Sequence, residues 1–174
     1  MLLMALLCTN KGLYIARHDR LVDLISSNVK EVFLVFLNVT MYKHSRIMPE
    51  WFNSSIDVMC NIPNTPHVVF LNRDRRDVLL LEIGCVFDLY MEMAFNDKIL
   101  KYQPILEILR DLGYQCKLIV FIFGSLGHVH NRVFSGLRLA GLSSRKSKQL
   151  AKFCSISAVI GSLAVWRRRC FLYP

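Results

Sequence analysis

One acidic residue lies in the middle of an apolar run, and basic residues follow it at helical spacing. Glu82 stands within the run 78–83, which is too short to span a membrane. Burying a carboxylate in such a strand costs free energy unless a cation or a metal ion accompanies it. Lys98 and Lys101 follow one helical turn apart, and Tyr102 shares a helix face with Lys98. A strand acid with a helix lysine is one arrangement of a metal-dependent nuclease site.

The chemistry of phosphodiester hydrolysis explains these residue types. The reaction uses a hard cation, usually Mg²⁺, that carboxylates hold near the scissile phosphate. A nearby lysine stabilises the growing negative charge or orients the attacking water. Glu82 fits the metal ligand, Lys98 fits the lysine with Lys101 as the alternative, and Tyr102 either contacts phosphate or packs the helix. The alternative is structural: Glu82 faces solvent on an edge strand, and both lysines lie on a solvated helix face.

The elements that must position these residues follow from apolar periodicity and turn signals. Four strands are predicted, at 32–39, 67–71, 78–85 and 117–123. Four helices are predicted, at 17–26, 91–112, 130–140 and 144–165, and residues 42–65 are predicted to be irregular. Residues 72–77 form a charged hairpin turn, and Gly113 ends the second helix. This order predicts an α/β fold, a mixed sheet flanked by helices.

Four short motifs resemble the restriction-like endonuclease domain of non-LTR retrotransposons, a branch of the PD-(D/E)XK nuclease superfamily. Arg17-His18-Asp19 is similar to the Arg-His-Asn/Asp motif that precedes the nuclease core. Pro66-His67 stands where the family has Pro-Asp, and Glu82 stands at the second acid. The segment 98–102 resembles the family's Lys-x-x-Lys-Tyr helix. The motifs occur in family order over residues 13–125.

The resemblance implies a PD-(D/E)XK-like core that nicks target DNA with Mg²⁺ or Mn²⁺. It places the catalytic group at His67, Glu82, Lys98, Lys101 and Tyr102, with Glu82 and His67 as the metal ligands. It also implies DNA contacts by Arg17, His18 and Asp19. His67 replaces the family's first acid, and neutral imidazole is a poor ligand for Mg²⁺. We therefore expect a degenerate endonuclease, and the alternative is a catalytically inactive nucleic-acid-binding module.

The basic residues are concentrated after residue 111. The net charge is +9, and no Asp or Glu follows Asp111, whereas ten Lys and Arg residues do. Such asymmetry favours a polyanionic partner. We expect DNA, with RNA as a further possibility, and we expect Arg167, Arg168 and Arg169 to contact phosphates. A solvated basic face is the alternative.

The predicted division is a nuclease core at 1–125 and a basic helical extension at 126–174 that packs on it. We interpret the chain as the terminal piece of a retroelement polyprotein, intracellular and nuclear if functional. Apolar content is 53%, yet the longest nearly uncharged runs, 32–42, 118–129 and 153–166, fall short of a membrane span. Stable membrane insertion is therefore not expected. A second alternative remains, a small membrane-associated protein that uses residues 1–8 and the apolar strands.

Overall fold

The computed structural model describes residues 11–29, 34–37, 66–72 and 75–172. Its elements in chain order are α1 (Lys11–Asn28), β1 (Leu34–Leu37), β2 (Val68–Asn72), β3 (Asp77–Val86), α2 (Met91–Asp111), β4 (Gln115–Gly124), α3 (Arg132–Leu139) and α4 (Ser144–Leu172). A 3-10 turn, Asp88–Tyr90, precedes α2. The predicted irregular segment 42–65 lies outside the described residues. The expected α/β class, a small mixed sheet flanked by helices, is confirmed.

The sheet has the order β1-β2-β3-β4. β1 pairs with β2 and β2 pairs with β3, both antiparallel, and Asn72 lies opposite Asp77 at the end of the second ladder. The predicted hairpin at 72–77 is thus confirmed. Arg76 in the turn of this hairpin has a positive φ of 52°, a backbone conformation that is uncommon for residues other than glycine.

The end of α2 follows its predicted signal, whereas α1 begins at Lys11, six residues before the predicted start. After α2, Gly113 has φ 81°, and the amides of Gly113 and Tyr114 donate to the carbonyls of Arg110 and Leu109. This is how a glycine in the left-handed region ends a helix. Ser143 caps α4, because its Oγ accepts the amide of Lys146. α4 extends seven residues beyond the predicted end at residue 165, since Trp166 and the basic residues after it are all compatible with helix.

The chain forms two compact units. The first holds α1, residues 83–95 and everything from Val120 onward; the second holds residues 30–82 and 96–119. α1 and the C-terminal helices therefore share a unit. The domain boundary predicted at residue 125 stays a prediction.

In the second unit, α2 packs on β2 and β3. The apolar core there consists of Val69, Val78, Leu80, Tyr102, Ile105, Leu106, Leu109 and Tyr114. Side chains alternate across a strand, so Val78, Leu80 and Glu82 point to the same face. Glu82 therefore continues the core-facing row of β3.

Within the described residues, one helix is long and apolar enough to cross a membrane by length and composition. It is the Ser144–Arg168 part of α4, with a mean hydropathy of 1.4. The apolar run seen in the sequence at 153–166 is shorter, because the span gains its length from less apolar residues on both sides.

Candidate functional site

Glu82 is fully buried, with 0% of its surface exposed. The prediction of a buried carboxylate is confirmed, and the alternative of a solvent-facing edge-strand acid is wrong. The cause is the alternation of side chains along β3. Glu82 lies two residues after Leu80 and therefore on the same face of the strand, which α2 covers. A carboxylate in that position requires partners of opposite charge or hydrogen-bond donors.

α2 supplies most of these partners. Lys98, Tyr102, Ile105 and Leu109 recur at three- and four-residue spacing and line one face of the helix. The last three are buried in the core, and Lys98 comes first along the same face. The apolar residues thereby fix the helix so that Lys98 meets Glu82.

Two lysines and a histidine surround the Glu82 carboxylate. Lys98 Nζ donates to Glu82 Oε1, and Lys101 Nζ lies 3.9 Å from the same oxygen. His67 Nδ1 lies 3.0 Å from Glu82 Oε2. The structure thus gathers four residues that the sequence predicted as a group: His67 directly before β2, Glu82 on β3, and the two lysines on α2.

Tyr102 completes the group. It is fully buried, and its hydroxyl accepts a hydrogen bond from Lys101 Nζ at 2.9 Å and donates to Glu82. The Lys101 ammonium also lies 4.6 Å from the centre of the Tyr102 ring, a cation–π distance. Of the two roles expected for Tyr102, packing of the helix is the one that its burial supports. We call His67, Glu82, Lys98, Lys101 and Tyr102 the Glu82 cluster.

The electrostatics of the Glu82 cluster follow from burial and pairing. Burial by itself raises the pKa of Glu82, but the hydrogen bond and charge of His67, together with Lys98, lower that pKa to about 2. Burial, and then the Glu82 charge and hydrogen bond, raise the pKa of Tyr102. Burial lowers the pKa of Lys101, with Glu82 opposing and Lys98 reinforcing the effect. Glu82 is therefore an anion, and Tyr102 a neutral donor, at any ordinary pH.

The donor set does not fit a hard divalent cation. Mg²⁺ prefers several oxygen ligands, whereas the Glu82 cluster contains one carboxylate, and two ammonium groups face one of its oxygens. Among the residues that the structure describes, no group of three or more His, Cys, Asp or Glu side chains could hold a metal ion. The Mg²⁺ or Mn²⁺ that the resemblance implies has too few ligands here.

Arg17 has a packing role in this structure. It is 6% exposed, and its guanidinium donates to Ser162 Oγ at 2.8 Å and to the Cys85 carbonyl at 3.2 Å. His18 Nδ1 and Asp19 Oδ1 are paired at 3.2 Å and are partly exposed. The DNA contacts expected of these three residues stay predictions, and burial leaves Arg17 little surface to offer.

Arg167 and Arg168 are exposed near the end of α4, and the backbone of Arg169 continues that helix. These arginines and the motif at 17–19 belong to the first unit, whereas the Glu82 cluster belongs to the second. Phosphate contact by the arginines stays a prediction.

A second polar site, in the first unit, was not predicted. A cavity of about 460 Å³ is lined by Asp88, Leu89, Met91, Glu92, His128, His130 and Asn131. Both oxygens of Asp88 accept backbone amides, from Leu126 at 2.9 Å and His128 at 3.2 Å. Gly124 leaves room for this carboxylate, because a Cβ at Gly124 would lie 2.3 Å from Asp88 Oδ1.

His130, which also lines this cavity, contacts two residues of α2 within the same unit. Its Nε2 lies 2.8 Å from Glu92 Oε2, and its ring stacks on Phe95 at 4.9 Å. The helix predicted at 130–140 is α3, which begins two residues after His130, at Arg132. The signal for the pairing was an acid two residues into α2, but nothing in the sequence relates Glu92 to a histidine 38 positions away.

Comparison with known proteins adds little. No protein-family model matches the chain, and no curated protein matches it. Among solved structures, the chain is similar to one described as an N-terminal domain of a reptarenavirus L protein. The identity is 20% and the TM-score 0.32, over 62% of this chain and 63% of that chain. The chain thus spans less than two thirds of that domain, and a likeness so distant carries no argument about function.

Proposed function

We propose that this chain is a nucleic-acid-binding module with the core of a retroelement restriction-like endonuclease, in which the metal site is degenerate. The observation that carries the proposal is the Glu82 cluster. It brings together the residues of two family motifs, Glu82 and Lys98 to Tyr102, with His67 at the position of the missing acid. The PD-(D/E)XK core is part of this proposal.

The charges of the Glu82 cluster suit phosphate better than a metal ion. Lys98 and Lys101 are 28% and 37% exposed, while the carboxylate between them is 1% exposed. Solvent therefore meets ammonium groups, with the single anion behind them. A phosphodiester can approach such a surface, because its charge complements that of the lysines and releases bound counterions.

Binding without metal tests the proposal. In the presence of EDTA, we expect the protein to bind duplex DNA and retard it in a gel. We expect its binding to single-stranded RNA to be no stronger. Lys101→Gln should weaken DNA binding about three- to tenfold and reduce the salt slope by about one unit, as the loss of one phosphate contact does. Lys117→Gln, an exposed lysine of β4 in the same unit, is the matched control and should change affinity less. Equal effects of the two substitutions would remove the Glu82 cluster from the interface.

The retained endonuclease is the second candidate, favoured by the same placement of Glu82 beside Lys98. Nicking of supercoiled DNA by the purified protein in Mg²⁺ or Mn²⁺ separates the two. We expect no nicking above background. Metal-dependent nicking that Glu82→Ala abolishes would establish the active enzyme and contradict the inactive module.

A further inference from the structure

The outward face of α4 carries an apolar stripe. Phe153, Ile156, Ile160 and Leu163 follow one another at three- and four-residue spacing and are between 45% and 60% exposed. The helix runs from Ser144 to Leu172, so four such residues extend over about three of its turns. Single exposed apolar residues are ordinary on proteins, whereas a contiguous row of four requires an explanation.

The opposite face of α4 is already covered. Cys154, Ala158 and Val165 are buried, and α1 and α3 pack on this helix within the first unit. Arg17 of α1 reaches Ser162 there. The helix is thus apolar on two sides, and the protein covers one of them, so α4 lies along this unit with the stripe outward.

Basic residues bracket the stripe. Lys148 and Lys152 precede it and Arg167 and Arg168 follow it, all of them exposed. No acidic residue occurs anywhere after Asp111. A second copy of α4 would bring cations against cations in either orientation, because both ends are basic. Nucleic acid would satisfy the cations and leave the apolar stripe in water.

We propose that α4 docks along the surface of an anionic lipid bilayer, a partner beyond the proposed nucleic-acid function. The stripe enters the boundary between headgroups and acyl chains, and the bracketing lysines and arginines contact the headgroup phosphates. Long basic side chains reach the headgroups even when their backbone lies deeper. The covered face with Ser162 remains on α1, so the helix lies in the interface and does not cross the bilayer.

Trp166 provides the measurement. It is 39% exposed next to the stripe, and the chain has two tryptophans, so Trp51→Phe leaves Trp166 as the single reporter. We expect this variant to float with vesicles of phosphatidylcholine containing about 30% phosphatidylserine, where the surface potential attracts basic segments. Trp166 fluorescence should shift to shorter wavelength. Vesicles of phosphatidylcholine alone should bind much less protein.

Two kinds of substitution separate the contributions. Ile160→Ser in the same background should lower partitioning about tenfold, because it removes inserted apolar surface. Lys152→Gln should lower it about fivefold, as one basic residue near an anionic surface does. Leu100→Ser is the matched control: Leu100 is 70% exposed, but on α2, so partitioning should not change.

Three results would overturn the proposal. The protein could fail to float with either vesicle. Flotation could be lost at high salt and be unaffected by Ile160→Ser, which means charge attraction without insertion. Sedimentation without vesicles could show a dimer that Ile160→Ser dissociates, which assigns the stripe to a second copy. Lys101 belongs to the second unit, whereas α4 belongs to the first. The effect of Lys101→Gln on DNA binding therefore tests the proposed function independently of the vesicle experiments.

Discussion

Glu82 keeps its charge in the interior because His67 and Lys98 compensate for the loss of water. Each partner is incomplete without the carboxylate: Lys98 and Lys101 would face each other with no anion between them, and the Tyr102 hydroxyl would lose its acceptor. Removing one member of a buried charge group costs more than the net value of the pair, because the remaining charge stays desolvated. Individual residues of the Glu82 cluster are therefore sensitive to substitution.

Glu82→Gln should lower the free energy of unfolding at neutral pH by about 1–3 kcal/mol, less than for a fully buried ion pair because the lysines are partly exposed. Urea unfolding measures this. Glu107→Gln is the matched control, since Glu107 lies exposed on α2 and its carboxylate accepts a hydrogen bond from Gln103. Its effect should be below about 0.5 kcal/mol.

The pH dependence of stability should show the same residue. The pKa of Glu82 is lowered from 4.5 to about 2 on folding. A lowered pKa means that the unfolded state binds the proton first, so the stabilisation is complete above about pH 4.5 and is lost as pH falls toward 2. Over this window, the free energy of unfolding of the parent should fall by up to about 3 kcal/mol more than that of Glu82→Gln. Parallel curves for the two proteins would contradict the assigned pairing.

His67→Asp should turn the Glu82 cluster into a metal site. Two carboxylates side by side repel, and one of their pKa values rises unless a cation intervenes. We expect a lower melting temperature in EDTA and a rise with millimolar Mg²⁺ or Mn²⁺, because a ligand that binds the native state stabilises it. Metal-dependent nicking should also appear, and adding Glu82→Ala should abolish it.

The neutral substitution His67→Asn controls for the loss of the imidazole and should show no response to metal. A His67→Asp protein that folds, binds DNA and ignores divalent cations would refute the placement of His67 at the family's first acid.

At the scale of elements, α1 and α4 approach each other at a glycine. A Cβ on Gly161 would lie 2.5 Å from Arg17 Cγ and 2.8 Å from Arg17 Cβ, and both atoms belong to a side chain fixed by its hydrogen bonds. Gly161 thus allows α1 to pack closely on α4, although glycine has a lower helix propensity than alanine.

Gly161→Ala should therefore destabilise the protein by about 1–3 kcal/mol, because overpacking outweighs the propensity gain of about 1 kcal/mol. Gly12→Ala is the counterpart on α1, where a Cβ would meet nothing within 4 Å. It should be neutral or stabilising by a few tenths of a kcal/mol. Thermal melts of both variants give the comparison, and stabilisation by Gly161→Ala would show that the helices are less tightly packed.

The element scale is also where sequence reasoning succeeded best. Short continuous apolar runs and turn residues predicted β2, β3 and β4 to within one or two residues, and Gly113 marked the end of α2. The grouping of Glu82 with Lys98 followed from the motifs. What could not be predicted was pairing over long separations, such as Arg17 with Ser162 or Glu92 with His130. These depend on how helices pack, which local periodicity does not encode.

For the whole molecule, the decisive property is the uneven charge. The net charge of +9 comes mainly from the segment after Asp111, where ten basic residues have no acidic neighbour in sequence. Such a field attracts polyanions over a distance set by ionic strength, about 8 Å at physiological salt.

Replacing Arg167, Arg168 and Arg169 together by Ala should flatten the salt dependence of duplex DNA binding. The slope of log affinity against log salt should fall by about one unit for each lost phosphate contact. Titrations at several salt concentrations measure it, and the triple replacement should leave the melting temperature unchanged because Arg167 and Arg168 are exposed. An unchanged slope would exclude the end of α4 from the DNA interface.

The identity of residue 67 also has a genetic consequence. Histidine and aspartate codons differ only in their first base, so a single nucleotide change would convert His67 into the acid that the resemblance implies. The Oε2 atom of Glu82 lies 3.0 Å from the present imidazole, so we expect the new carboxylate to lie close to that of Glu82. In a cell with scarce free divalent cation, the His67→Asp protein would be destabilised by the repulsion between the two carboxylates. Protein stability therefore opposes this single-base change wherever divalent cation is scarce.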